Sequence, residues 1–134
     1  MNPARSQFLR FAVVGTAGFV VNEAVLFALL KLLRLDPYSG QAAAFLFAAT
    51  FTWWGNRMLT FRAHAATGAG GMAREWASFI AANALGGAIN YAIYAMLVSI
   101  APAPFNSPFL GVVAGTLAGL VFNFTMSRRF VFRA

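Results

Sequence analysis

The chain has no cysteine, one histidine and three acidic residues among 134. Without cysteine there are no disulfides, no thiol chemistry and no thiolate metal sites. One histidine gives no basis for an imidazole metal centre. Charged residues make up 10% of the chain, against about 25% in soluble domains. That is too little charge to cover a water-soluble globule. What fills the composition instead is apolar: 60% hydrophobic residues with 15 Phe, 12 Gly and a mean hydropathy of +0.71. The expectation is an all-α integral membrane protein, one membrane domain over 1–134.

Ten Lys and Arg against three acids give a net charge of +7. In a soluble protein this balance points to nucleic acid. Here the cations flank apolar runs, where they set topology, so no nucleic-acid partner is expected. The runs cover 11–30, 38–56, 77–100 and 109–126, which predicts four transmembrane helices. Each would reach roughly 27–36 Å, enough for a hydrocarbon core of about 30 Å. The first follows Arg5 and Arg10 as a signal peptide would. It is longer than such a segment, carries Asn22 and Glu23 and lacks a small-residue cleavage site, so it is expected to be retained.

Arg5, Arg10, Arg57, Arg62, Arg74, Arg128, Arg129 and Arg133 fall on one side of this topology, and Lys31 and Arg34 on the other. The positive-inside rule then puts both termini and the central loop in the cytoplasm. The loop, residues 64–73, is rich in Ala and Gly and reads as a flexible connector. Pro37, Pro102, Pro104 and Pro108 mark the outer loops as places where helices stop.

The chain also repeats itself. At an offset of 71, Pro37, Gly40, Ala43, Leu46, Phe51, Arg57, Phe61, Arg62 and Ala63 meet identical residues from Pro108 to Ala134. At an offset of 68, Phe11, Gly18, Asn22, Ala24 and Leu29 meet Phe79, Gly86, Asn90, Ala92 and Leu97. Repeat 1 covers 8–63 and repeat 2 covers 76–134. Two spans per repeat make them parallel, related by an axis along the membrane normal.

Residues four apart share a helix face. The second span carries Gly40, Ala44, Ala48, Thr52 and Asn56 at this spacing, and the fourth Gly111, Gly115, Gly119, Asn123 and Ser127. Small residues at this spacing let helices approach closely; the polar ends suit interhelical hydrogen bonds or a ligand path. Glu23 is the one acid inside a span. An acidic side chain near the bilayer centre costs about 2.5 kcal/mol or more, which favours a polar cavity. Asn22, Asn83 and Asn90 extend the polar set. Arg57 and Arg128 follow the polar end of each ladder, where a guanidinium fork suits a lipid phosphate. Trp53, Trp54 and Trp76 lie near the same face and read as an interfacial belt.

Arg10-Phe11 with Val14-Gly15, then Gly55-Asn56-Arg57-Met58-Leu59-Thr60-Phe61, and 123–132 with Ser127-Arg128-Arg129-Phe130 at its centre, together resemble the GtrA-like family of small bacterial membrane proteins. One departure is Thr52, where the family often has Asn, as at Asn123. The resemblance implies translocation of polyprenyl-phosphate-linked sugars across the bacterial cytoplasmic membrane for envelope polysaccharide glycosylation, beside a membrane glycosyltransferase. In that setting Arg57, Arg128 and Arg129 would hold the phosphate. Asn22, Glu23, Asn56, Asn83, Asn90 and Asn123 would line a groove between repeats for the sugar, while the tail stays in membrane lipid. No cofactor, metal or enzymatic activity is expected, and four thin helices allow a homodimer. Two other readings are a small multidrug-type exporter that exchanges cations for protons at Glu23, and a non-transporting scaffold for a glycosyltransferase.

Overall fold

The computed structural model describes residues 2–134, and of residue 109 the backbone alone. It is all-helical, with α1 (Pro3–Lys31), α2 (Pro37–Leu59), α3 (Gly68–Ile100) and α4 (Pro108–Met126). Helix starts follow local chemistry. The Asn2 carboxamide oxygen accepts from the Ala4 N–H at 2.9 Å, and the Asp36 carboxylate from the N–H groups of Tyr38 and Ser39. Pro3, Pro37 and Pro108 each occupy a first helical turn, where a missing N–H costs nothing. Pro37 and Pro108 therefore begin helices; they do not end the ones before them. At the end of α1, Arg34 takes a left-handed φ of 52° and the Leu35 N–H closes back on the Leu29 carbonyl at 3.1 Å.

The predicted spans lie inside longer helices, and one expectation fails. Residues 64–73 are not a loose connector throughout. After a short 3-10 turn, Arg62–His64, α3 begins at Gly68. Gly68 enters it at φ 74°, a conformation that glycine adopts without a side-chain clash. The Ala and Met that follow are good helix formers.

α1 and α2 pack as an antiparallel hairpin. Val14 meets Gly55, Gly18 meets Thr52, and Leu26 and Leu30 meet Gly40. α3 and α4 do the same, with Gly86 against Asn123, Asn90 against Gly115 and Gly119, and Tyr94 against Gly111. The small-residue ladders thus work as helix-packing faces, each within its own hairpin. Contact between the hairpins is concentrated at one end. There Phe11, Trp53, Phe61, Phe79 and Phe132 form the buried core, with Phe124 and Trp76 packed on it.

Both hairpins end in the same backbone device. The Phe61 N–H bonds the Asn56 carbonyl and the Phe132 N–H the Ser127 carbonyl, each at 2.8 Å and each spanning five residues. In the second hairpin this widened turn runs over Ser127–Val131. It swings each Phe inward.

Three stretches, Pro3–Lys31, Gly68–Ile100 and Leu110–Val131, are long and apolar enough to cross a membrane. α2 is 23 residues long but carries Gln41, Thr50, Thr52 and Asn56, which lower its apolarity. Large apolar side chains such as Val13, Phe19, Phe27 and Tyr91 point outward, the arrangement expected when lipid is the solvent.

Candidate functional site

The arginine-bearing ends of all four helices meet at the aromatic core. The most constrained polar group there is Glu75, whose side chain is 2% exposed. It lies on the inward stripe of α3 with Phe79, Ala82 and Gly86. Its Oε1 accepts from the Arg57 guanidinium at 2.8 Å and from the Trp53 indole N–H at 3.0 Å. Its Oε2 accepts from the Ala66 N–H at 2.6 Å, and Arg57 also donates to the Ala66 carbonyl at 2.6 Å. Arg57 further lies over the Trp53 ring, 5.9 Å from its centroid. A buried carboxylate is tolerable only when paired and hydrogen-bonded in this way.

Glu75 therefore ties α2, the connector and α3 together. Glu75 is not among the residues that the sequence singles out, since 64–73 reads as a flexible connector and the third span as 77–100. The i, i+4, i+7, i+11 series 75, 79, 82, 86 was the available signal. Arg57, expected to hold a phosphate, is already paired. Trp53, expected in an interfacial belt, is a buried core residue; Trp54 is exposed, and Trp76 donates to the Thr50 hydroxyl at 3.0 Å.

The other predicted site residues are dispersed. Asn56 is 1% exposed, with its amide donating to the Thr52 carbonyl and its oxygen accepting from the Thr60 hydroxyl. Asn83 donates to the Phe79 carbonyl at 3.0 Å. Asn90 and Asn123 face glycines of the neighbouring helix in their own hairpin. They do not meet across a crevice between the hairpins. The physical reason is steric: a glycine opposite each polar side chain leaves room for it in the seam. Asn22 and Glu23 stand apart from these, half-buried and exposed, and Asn22 donates to Glu23 at 3.3 Å.

At the offsets of 68 and 71, Glu75 corresponds to Gln7, Arg57 to Arg128, Asn56 to Ser127 and Trp53 to Phe124. The second set is differently satisfied. Gln7 Oε1, Asn123 Oδ1, Ser127 Oγ and Arg128 Nε are all buried without a hydrogen-bond partner. Ser127 is completely buried, and Arg129 is exposed. Phe8 packs edge-on against Phe124 at 5.2 Å, which brings the start of α1 beside the end of α4.

Two apolar clefts flank this region at corresponding places. One, about 360 Å³, is lined by Leu9, Arg10, Val13, Val14 and Leu59; the other, about 280 Å³, includes Ser78, Ala81, Ala82 and Phe130. In the first, the Arg10 guanidinium donates to the Leu59 carbonyl at 3.2 Å. Among the described residues no three His, Asp or Glu side chains come together. The region offers guanidinium, carboxamide and hydroxyl groups, which suit an anionic or polyhydroxyl ligand.

A family described as the GtrA/DPMS transmembrane domain matches residues 10–132. No curated protein matches the chain.

Proposed function

The chain belongs to the GtrA/DPMS transmembrane-domain family and is a multi-pass membrane protein, and from this premise we propose that it translocates polyprenyl-phosphate-linked sugars across a bacterial cytoplasmic membrane. In this reading all four helices span the bilayer as two parallel repeats, with the arginine-bearing ends and both termini in the cytoplasm. Like placement of residues at the two offsets supports the duplication: Gly18 and Gly86 accommodate Thr52 and Asn123, and Phe61 and Phe132 meet in one stack.

The observation that carries the reading is the convergence of cationic helix ends on a polar cluster whose buried groups are only half satisfied. A phosphate at the membrane surface is a suitable occupant, and a prenyl tail needs no enclosed cavity because lipid already solvates it. Deeper in α1, Glu23 lies about 20 Å of helix rise beyond Arg10. A carboxyl group exposed at that depth calls for a polar partner. A second copy of the chain would supply one, as would a water-filled path for sugar hydroxyls.

A second reading, a scaffold that recruits a glycosyltransferase and moves nothing itself, is favoured by one observation. Asn90, Asn123 and Thr52 are closed within their hairpins, so among the described residues these three do not line the mid-membrane groove expected between repeats. Reconstitution separates the two readings. Purified protein in liposomes should carry a fluorescent polyprenyl-phosphate sugar between leaflets faster than empty liposomes do, and Glu23→Gln should slow it. Equal rates with and without protein would refute translocation, and co-purification of an enzyme in that case would favour the scaffold.

A further inference from the structure

The outer face of α1 carries a polar group that the rest of the chain does not answer. Val13, Thr16, Val20, Glu23 and Phe27 follow one another at alternating steps of three and four, and all five are exposed. This is the seam spacing of two parallel helices wound about each other. Glu23 lies about 20 Å of helix rise from Arg10 and about 12 Å from Lys31, well inside a hydrocarbon core of about 30 Å. Among the described residues its one hydrogen bond comes from the neighbouring Asn22, at 3.3 Å. Glu23 lines neither of the two clefts, which lie at the arginine-bearing end. A carboxyl group left among acyl chains is costly, and those chains offer it no donor. The Thr16 hydroxyl on the same face is satisfied within its own helix, donating to the Ala12 carbonyl at 3.0 Å.

We propose that two copies of the chain pair through this face of α1, and that Glu23 and Asn22 of both copies form one shared polar site near mid-bilayer. A second copy is the occupant because the face complements itself. Eight arginines lie toward one end of the molecule, against Lys31 and Arg34 toward the other, so two copies insert the same way round. Their two-fold axis then runs along the membrane normal, and Glu23 meets its own counterpart at the same depth. An Asn22 amide has two N–H groups. One serves the Glu23 beside it and the other is free for the Glu23 of the second copy. A single polar position on an otherwise apolar seam also fixes register and the number of helices that join. At the offset of 68 the corresponding residues of α3 are Ala81, Ala84, Ala88 and Tyr91, so the acid marks one outer face and not the other. Association through one face alone closes at a dimer. The pairing rests on the proposed function only for the orientation of the chain in the bilayer, and not for transport.

The chain has no cysteine, so single introduced cysteines report contacts without background. In membranes of expressing cells, Val13→Cys and Val20→Cys should each give a disulfide-linked dimer on oxidation, and Ala81→Cys and Ala88→Cys should not. Terminally labelled whole protein in phosphatidylcholine liposomes should show energy transfer between copies that persists as lipid is added. Glu23→Leu should shift the dilution midpoint roughly tenfold toward monomer. Glu23→Gln keeps a hydrogen-bonding group of like size and should shift it little. The crosslinks are read with Glu23 in place, so they decide the interface even if Glu23→Leu fails to fold. Linkage through Ala88→Cys with none through Val20→Cys would move the interface to α3 and overturn the proposal. So would unchanged association of Glu23→Leu, or a natural chain that is monomeric at every dilution. A monomer that still carries a lipid-linked sugar between leaflets would remove the pairing and leave translocation standing.

Discussion

Phe61 stacks on Phe132 with ring centroids 4.6 Å apart and planes 17° from parallel. Each ring is almost wholly buried, and each is placed by a five-residue backbone closure at the end of its hairpin. The stack is one of the contacts that join the two hairpins, and Phe79 and Phe124 pack against it. Replacing either ring by alanine should destabilise the union of the hairpins. The loss should fall below the about 3–5 kcal/mol of soluble cores, because lipid replaces water as the alternative surrounding. Thermal unfolding in detergent would measure it. Because the rings share one contact, the double replacement should cost less than the two single losses added together.

The seams inside the hairpins make a sharper prediction. A Cβ at Gly115 would lie 2.5 Å from the Asn90 carbonyl oxygen, a backbone atom that cannot rotate away. Gly115→Ala should therefore cost about 1–3 kcal/mol, as overpacking does. At Gly15 and Gly87 nothing lies within 4 Å of such a Cβ. Alanine there should be neutral or should stabilise by up to about 1 kcal/mol through helix propensity. Comparing melting temperatures of the three variants tests the packing directly.

Much of this architecture was legible in the sequence because it is local. Apolar run length marked the helices, proline marked the outer boundaries, and the spacing 40, 44, 48, 52 marked a packing face. The offsets of 68 and 71 linked residues that occupy like places in the two hairpins. Pairing of polar groups was less legible, being a tertiary property. Arg57 follows a polar ladder in sequence, yet its charge is answered by Glu75 from another helix. Nor does a ladder of small residues say which helix it faces. Asn90 and Asn123 therefore suited a groove between hairpins as well as the seams that hold them.

Asp36 makes the pH dependence at the other end of the molecule predictable. Hydrogen bonds from the Ser39 side chain and then the Ser39 N–H hold its carboxyl below the ordinary carboxylate value. A lowered native value means that the unfolded chain takes up the proton first as pH falls. The cap's stabilisation is thus fully present above the ordinary carboxylate range and is lost as pH drops through the lowered native value. The protection of the Tyr38 and Ser39 amides against hydrogen exchange, taken relative to the intrinsic rate at each pH, should fall over that acidic window. In Asp36→Ala the protection should be low at every pH.

The lock between α2 and α3 can be separated from a mere surface ion pair by what each deletion leaves behind. Glu75→Leu abandons the Arg57 guanidinium in a site where it is only 13% exposed. It also strips the acceptor from the Trp53 indole and the Ala66 N–H. A loss of about 3–5 kcal/mol is expected, as for a broken buried pair. Arg57→Met alone should be comparably costly, since it leaves Glu75 as the unpaired charge. Combining Arg57→Met with Glu75→Leu removes both charges and keeps the volume. It should recover most of the stability, even though two N–H groups still lack their acceptor. A surface pair would instead show small, nearly additive losses. Thermal unfolding of the four proteins in one detergent decides between these outcomes, and additivity would mean that Glu75 does not hold the hairpins together.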